Sequence, residues 1–192
     1  MIKNLKKYNP NKSLFKILSL TSFFISLLYP IDQNAIKAGL EFQWDENDNF
    51  KRLKWHQTDN RKRSKNKIFF FLRPSDRRTG FLKINMRLPK SFKSTLKEEK
   101  ITLCRVRIGG FENRTKCLEN IPADIEVNRK TKSIDIFPYN PIPSSTDSYA
   151  IVFKITNPQK SGLYQFHSYG QSSGKIPVSS YIGSWTIRIA GQ

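Results

Sequence analysis

Residues 149–169 read YAIVFKITNPQKSGLYQFHSY, two apolar and partly alternating runs joined by Asn157-Pro158 and Gly162. Alternation of apolar and polar residues is typical of half-buried strands, and Pro and Gly are typical of the turns between them. This stretch therefore predicts two neighbouring strands connected by a short loop.

Comparable runs recur at short, regular spacing through the rest of the C-terminal part. They are Ile68–Leu72, Phe81–Leu88, Ile101–Ile108, Ile125–Val127, Ile134–Phe137 and Tyr181–Ile189. Only residues 91–100 have helical character, and that segment is too short and polar to form a layer. About eight strands without crossover helices predict an all-β fold, an antiparallel β-sandwich of the immunoglobulin-like kind.

Composition supports one folded domain with a strongly basic surface. The chain has 192 residues, with 34 Lys and Arg against 15 Asp and Glu, and a formal charge of +19. Its 14 Phe, 7 Tyr and 3 Trp are too many large apolar groups for a disordered chain of this charge. The length allows one ordinary domain and a short extension.

The N-terminus has the pattern of an export signal. Residues 1–16 hold five Lys and no acid, and residues 17–29 carry no charge. An uncharged run of this length is short for a membrane span, which needs about 20 residues. We therefore expect a signal peptide at 1–38, cleaved after Ala38, that contacts the membrane during export. The alternative is an uncleaved N-terminal membrane anchor.

The remaining chain then divides into a basic, partly irregular lead-in at 39–66 and the β-sandwich at 67–192. Removal of 1–38 takes away six Lys and one Asp, and leaves 28 basic and 14 acidic residues, a charge of +14. Such an excess favours an anionic partner, namely acidic lipid, polysaccharide or an acidic protein face. Nucleic acid is not expected for an exported protein, whose compartment is the periplasm, the thylakoid lumen or the cell surface.

Cys104 and Cys117 are the two cysteines of the chain. In an oxidising compartment such a pair tends to form a disulfide, and Gly109-Gly110 between them allows the chain to turn back. Free thiols are the alternative. A metal site is disfavoured because no His lies between the two Cys, and we expect neither a metal nor another cofactor.

A cluster of basic residues is the one feature that points to a partner. Its members are Arg61, Lys62, Arg63, Lys65 and Lys67, followed after one predicted strand by Arg73, Arg77 and Arg78. They would flank the two ends of that strand and could form a patch for an anionic partner. The alternative is a solvated loop, as most runs of charge are.

Two short segments resemble sequence motifs of catalytic or calcium sites, but they lack other residues that these sites require. Residues 170–174 match the G-x-S-x-G pattern, yet no acid or His follows them as a hydrolase elbow requires. Residues 45–49 resemble the start of a calcium loop, but its sixth and twelfth positions are Phe50 and His56. His167 alternates with aromatic residues in a predicted strand and is expected at the surface or at the rim of the core. No catalytic residue is therefore predicted.

Three short motifs stand out within residues 66–189, namely Asn157-Pro158, Gly162-x-Tyr164 and Tyr181-Ile182-Gly183. With the segments around them, they resemble the exported cyanobacterial family called domain of unknown function 2808. It implies export and a small β domain. It implies no activity.

The sequence thus predicts an exported, non-enzymatic β-sandwich of the cell envelope or thylakoid lumen, an interaction or structural module with a preference for anionic surfaces. The alternative is an exported enzyme that acts on cell-wall or surface polysaccharide through two carboxylates.

Overall fold

The computed structural model describes residues 51–172 and 178–191. They belong to a unit that covers residues 40–192. The predicted signal peptide at 1–38, the calcium-like run at 45–49 and part of the G-x-S-x-G string lie outside the described residues, so these predictions stay predictions. Within the described ranges, no helix is long and apolar enough to cross a membrane.

Ten strands make up almost all of the regular structure in the described ranges. They are β1 (Trp55–Gln57), β2 (Lys65–Leu72), β3 (Phe81–Arg87), β4 (Ile101–Arg107), β5 (Lys116–Ile121), β6 (Ala123–Asn128), β7 (Ser133–Pro138), β8 (Tyr149–Thr156), β9 (Gly162–Ser172) and β10 (Ser179–Ile189). Two short 3₁₀ turns, at Pro74–Asp76 and Glu98–Lys100, complete the list.

The strands form two five-stranded sheets. The first sheet has the order β1-β2-β8-β4-β5, and the second has the order β10-β9-β3-β7-β6. Every pairing between these strands is antiparallel. The predicted all-β antiparallel sandwich is confirmed.

Alternating residues on the facing sides of the two sheets fill the main core. Phe70 of β2 lies at its centre, with ring centroids 5.0 Å from Phe166 and 5.2 Å from Trp185 on the second sheet. Trp185 is fully buried, and its indole Nε1–H donates to the carbonyl of Phe71 at 3.1 Å. This hydrogen bond joins the two sheets and satisfies the one polar atom of that side chain.

The first sheet also carries apolar residues on its outer face. Phe69, Phe71, Val106, Val152 and Ala150 form a second buried cluster there, together with Cys104. Burial on both faces explains why residues 68–72 are a continuous apolar run rather than an alternating one.

The predicted disulfide is confirmed. It joins Cys104 of β4 to Cys117 of β5, with the two Cα atoms 5.7 Å apart. Cys117 lies opposite Val106 in the β4–β5 pairing, and residues 108–115 form the loop of this hairpin. Gly110 N–H donates to the Asn113 carbonyl at 2.9 Å, so the turn lies where Gly109-Gly110 predicted it.

Two strands, β1 and β5, were missed by the sequence analysis. β1 and the first residues of β2 fall in the predicted lead-in, and Leu53 before them is only 1% exposed. β5 was missed because most of its side chains are exposed and show no alternation. The predicted helical character at 91–100 is limited to the 3₁₀ turn at Glu98–Lys100.

Candidate functional site

Three lysines lie side by side at one end of the first sheet. Lys67 of β2 is the direct cross-strand partner of Lys154 of β8. On the other side of β8, Ile101 of β4 pairs with Phe153, so Lys100 comes next to Lys154 as well. Like charges placed opposite each other on neighbouring strands destabilise a sheet. The arrangement therefore concentrates positive charge at a cost in stability.

Two further lysines complete a groove around this row. We call it the lysine groove, and its volume is about 680 Å³. Five lysines border it: Lys65, Lys67, Lys97, Lys100 and Lys154. The other bordering residues are Thr58, Asn66, Thr95, Ile155 and Thr156. Among the described residues, no Asp or Glu borders it. The groove thus offers five ammonium groups and threonine hydroxyl groups to a ligand.

In the part of the chain that the structure describes, four of these five ammonium groups take part in no ion pair. Lys97 contacts Glu99 at 3.8 Å. Within residues 51–172 and 178–191, no ion pair involves Lys65, Lys67, Lys100 or Lys154. The ammonium of Lys67 lies 4.8 Å from the centre of the Phe69 ring. The charge of the groove is therefore largely uncompensated and attracts anions.

A buried pair of asparagines holds one wall of the groove. Asn66 and Asn157 are almost fully buried, and Asn66 Nδ2 donates to Asn157 Oδ1 at 2.9 Å. Asn66 Oδ1 accepts from the backbone N–H groups of Thr58 and Asp59, and Asn157 Nδ2 donates to the carbonyls of Asp59 and Arg61. These bonds fasten the turn between β1 and β2 to the end of β8. They also give a structural role to Asn157 of the Asn-Pro motif.

The opposite wall comes from the segment between β3 and β4. Ser94 Oγ donates to the Thr156 carbonyl at 2.6 Å, which ties this segment to the end of β8. Glu98 Oε1 accepts from the backbone N–H of Val127 at 3.1 Å. Both bonds fix the backbone on either side of Lys97, so this lysine borders the groove although it belongs to no strand.

The structure separates the eight predicted patch residues into two groups. Arg61, Lys62, Arg63, Lys65 and Lys67 lie before or within the start of β2, whereas Arg73, Arg77 and Arg78 follow its end. The two ends of an eight-residue strand are roughly 24 Å apart at about 3.4 Å per residue. The two groups therefore do not form one patch, and only Lys65 and Lys67 border the lysine groove.

Arg61 is neutralised by a neighbour. Its guanidinium forms a bidentate contact with Asp59, with Nη2 to Oδ2 at 2.5 Å. The hydrogen bond from Arg61 lowers the pKa of the Asp59 carboxyl from 3.8 to about 2. The pair stays fully ionised at neutral pH and closes the turn before β2.

Arg73 and Arg77 have structural contacts at the other end of β2. Arg73 Nε lies 2.9 Å from Oδ2 of the buried Asp76. Arg77 is 4% exposed and donates to the carbonyls of Leu72 at 3.3 Å and Asp147 at 2.6 Å. Arg77 is therefore not available to a partner, Arg73 is half-buried and paired with an acid, and Arg78 is exposed.

His167 bonds a serine other than the one in the G-x-S-x-G string. Its Nδ1 lies 2.8 Å from Ser184 Oγ, and Tyr181 Oη lies 2.7 Å from the same oxygen. Ser184 is fully buried. A substrate cannot reach this hydroxyl, so the contact does not form a hydrolase site. His167 is half-buried.

The described grooves give no support to a two-carboxylate site. Besides the lysine groove there are three, and each is bordered by at most one acid, which is Asp135 in one and Glu112 in another. In the described part of the chain, no group of three or more His, Cys, Asp or Glu is placed to hold a metal ion.

Solved structures that resemble the chain include a bacterial hydrophobin and two collagen-binding domains. The bacterial hydrophobin BslA has a TM-score of 0.46 and 15% identity, over 73% of this chain and 98% of that chain. A collagen-binding domain from a Staphylococcus aureus adhesin has a TM-score of 0.37 and 16% identity, over 70% and 95%. The collagen-binding subdomain of the Enterococcus faecalis surface protein ACE has 0.38 and 9%, over 70% and 95%. At these identities the likeness concerns the fold alone.

No curated protein matches the chain. A family model does match, and it covers residues 42–189, which include all ten strands. The resemblance seen at Asn157-Pro158 and around Tyr181 thus extends over most of the chain. The protein belongs to the family described as protein of unknown function DUF2808.

Proposed function

We propose that this protein is an exported, non-enzymatic interaction module that binds an anionic component of the cell envelope through the lysine groove. The partner presents several negative charges close together, as an acidic lipid surface, an acidic polysaccharide or an acidic protein face does. Envelope here means the periplasm, the thylakoid lumen or the cell surface.

One observation carries the proposal. Lys154 lies between Lys67 and Lys100, and within the described residues no acid pairs with any of the three. A sheet gains nothing in stability from such a row, because neighbouring like charges repel. A bound anion removes this repulsion, so the arrangement is more favourable with a ligand in place.

Export rests on two independent features. The basic and then apolar pattern of residues 1–38 is that of a signal peptide. The disulfide between Cys104 and Cys117 is stable in oxidising compartments and rare in the cytosol.

A charge-matched pair of variants tests the site. The groove variant combines Lys65→Gln, Lys100→Gln and Lys154→Gln, three exposed lysines that border the groove. The control variant combines Lys54→Gln, Lys90→Gln and Lys130→Gln, which are exposed and border none of the four grooves. Both variants have the same net charge, so only the position of the lost charges differs.

The probes are polygalacturonate and vesicles of phosphatidylcholine with phosphatidylglycerol, each at about 0.1 M salt. We expect the groove variant to bind the preferred probe about tenfold more weakly, since three ionic contacts at about 0.2–1 kcal/mol each are lost. The control variant should bind like the parent. The groove variant should also unfold at no lower temperature, because the repulsion in the row is relieved. Equal losses in the two variants would show a general charge effect and reject the site.

A further inference from the structure

The loop of the β4–β5 hairpin, residues 108–115, lies beside the lysine groove. Across a second groove of about 800 Å³, which we call the hairpin groove, it faces His56 and Gln57 of β1 and Phe69 of β2. Thr58 and Lys67 border both grooves. The two grooves are therefore adjacent on the outer side of the first sheet, and we call them together the trough.

Hydrogen bonds within the loop and the disulfide next to it hold the wall of this trough in place. Gly109 N–H donates to Thr115 Oγ1 at 3.0 Å. A Cβ on Gly109 would come within 2.6 Å of the Thr115 nitrogen, so glycine is required for this close turn. The bond from Cys104 to Cys117 ties both ends of the loop to the sheet. These contacts fix the conformation of the loop before a ligand binds, so the loop forms a rigid wall of the trough.

The hairpin presents apolar side chains to solvent. Phe111 is completely exposed, and Ile108 and Leu118 of the same hairpin are 38% and 49% exposed. Phe111 and Arg114 both border the hairpin groove. The trough thus offers an aromatic ring at one end and a row of ammonium groups at the other.

We propose that the trough binds an extended acidic polysaccharide, whose carboxylates or sulfates lie in the lysine groove while a sugar ring lies against Phe111. This inference rests on the proposed function and names the class of the partner. An aromatic ring has a negative face that attracts the C–H groups of a sugar, whereas the acidic groups of the same polymer match the lysines. A concave trough that joins both features fits a linear chain better than a flat lipid surface.

Phe111→Ala tests the inference, because removal of a fully exposed side chain should leave the fold unchanged. The control is Tyr139→Ala, which removes an exposed aromatic residue that follows β7 in the second sheet. The probes are polygalacturonate, a galacturonate disaccharide, and vesicles of phosphatidylcholine with phosphatidylglycerol.

We expect Phe111→Ala to bind polygalacturonate about three- to tenfold more weakly, and Tyr139→Ala to bind it like the parent. Binding of the disaccharide and of the vesicles should not change, since neither spans the trough. Unchanged binding of polygalacturonate would overturn the inference, and a greater loss on vesicles would assign the ring to a lipid surface instead. Both outcomes leave the lysine variants free to confirm the proposed function, which fails if the groove variant loses no more binding than its charge-matched control.

Discussion

Replacing Arg77 by Ala is expected to lower the free energy of unfolding by about 2–4 kcal/mol, because several buried groups lose their partner together. The guanidinium donates to the carbonyls of Leu72, Ser145 and Asp147 and lies 4.6 Å from the centre of the Tyr149 ring. Burial lowers the pKa of Arg77, and the electrostatic influence of Tyr149, Asp147 and Asp76 opposes this shift. The residue links the end of β2 to the segment before β8.

The neighbouring Arg78 is the matched control. It is exposed, and Arg78→Ala should change the free energy of unfolding by less than about 0.5 kcal/mol. Urea denaturation of both variants and the parent measures the difference. If the two variants were equally stable, the distinction drawn between a structural and a surface arginine at this end of β2 would be wrong.

Loss of the disulfide should have an effect of similar size. The bond closes a loop with a sequence separation of 13 residues, for which chain entropy gives about 3 kcal/mol. We expect Cys117→Ser to lower the free energy of unfolding by about 2–4 kcal/mol. Cys117 is the better position for this change because it is only half-buried, whereas Cys104 is fully buried.

The reductant provides the control for this prediction. Reduction should destabilise the parent by about as much as the substitution does, and should leave Cys117→Ser unchanged. Alkylation of the folded, oxidised parent should modify neither cysteine. Two reactive thiols in that sample, or a variant still sensitive to reductant, would contradict the pairing.

The strands could be predicted from the sequence where one face of the strand is buried and the other is more exposed. β3 alternates because Ile84 and Met86 point into the core between exposed or half-buried neighbours. β5 gave no such signal, since it lies at the edge of the first sheet and is held by pairing with β4 and by the disulfide. β1 has three residues, which is too short for a pattern to appear.

The candidate site could be predicted only in part, because its lysines lie far apart in the sequence. Lys65 and Lys67 were recognised as part of a charge run, whereas Lys154 meets them only because β2 pairs with β8. Lys97 and Lys100 come shortly before β4, and the pairing of β4 with β8 brings them to the same groove. No local sequence pattern indicates which distant residues the strand pairing brings together.

Two arginines of the predicted patch, Arg61 and Arg73, have an acidic partner close by in the sequence. Asp59 precedes Arg61 by two residues, and Asp76 follows Arg73 by three, and both pairs form in the structure. An acid at such spacing neutralises a basic residue before any partner can. The burial of Arg77 had no comparable signal, because its acceptors are backbone carbonyls, two of which lie about seventy residues away.

The central claim is that anions bind in the lysine groove, and lysine acetylation of the unmodified protein tests it most directly. The rate at each lysine is measured by mass spectrometry without a ligand, with polygalacturonate, and with vesicles that contain phosphatidylglycerol. We predict that at least one probe protects Lys65, Lys100 and Lys154, while Lys54, Lys90 and Lys130 react as fast as before. Equal protection of both sets, or protection of neither by either probe, would contradict the claim.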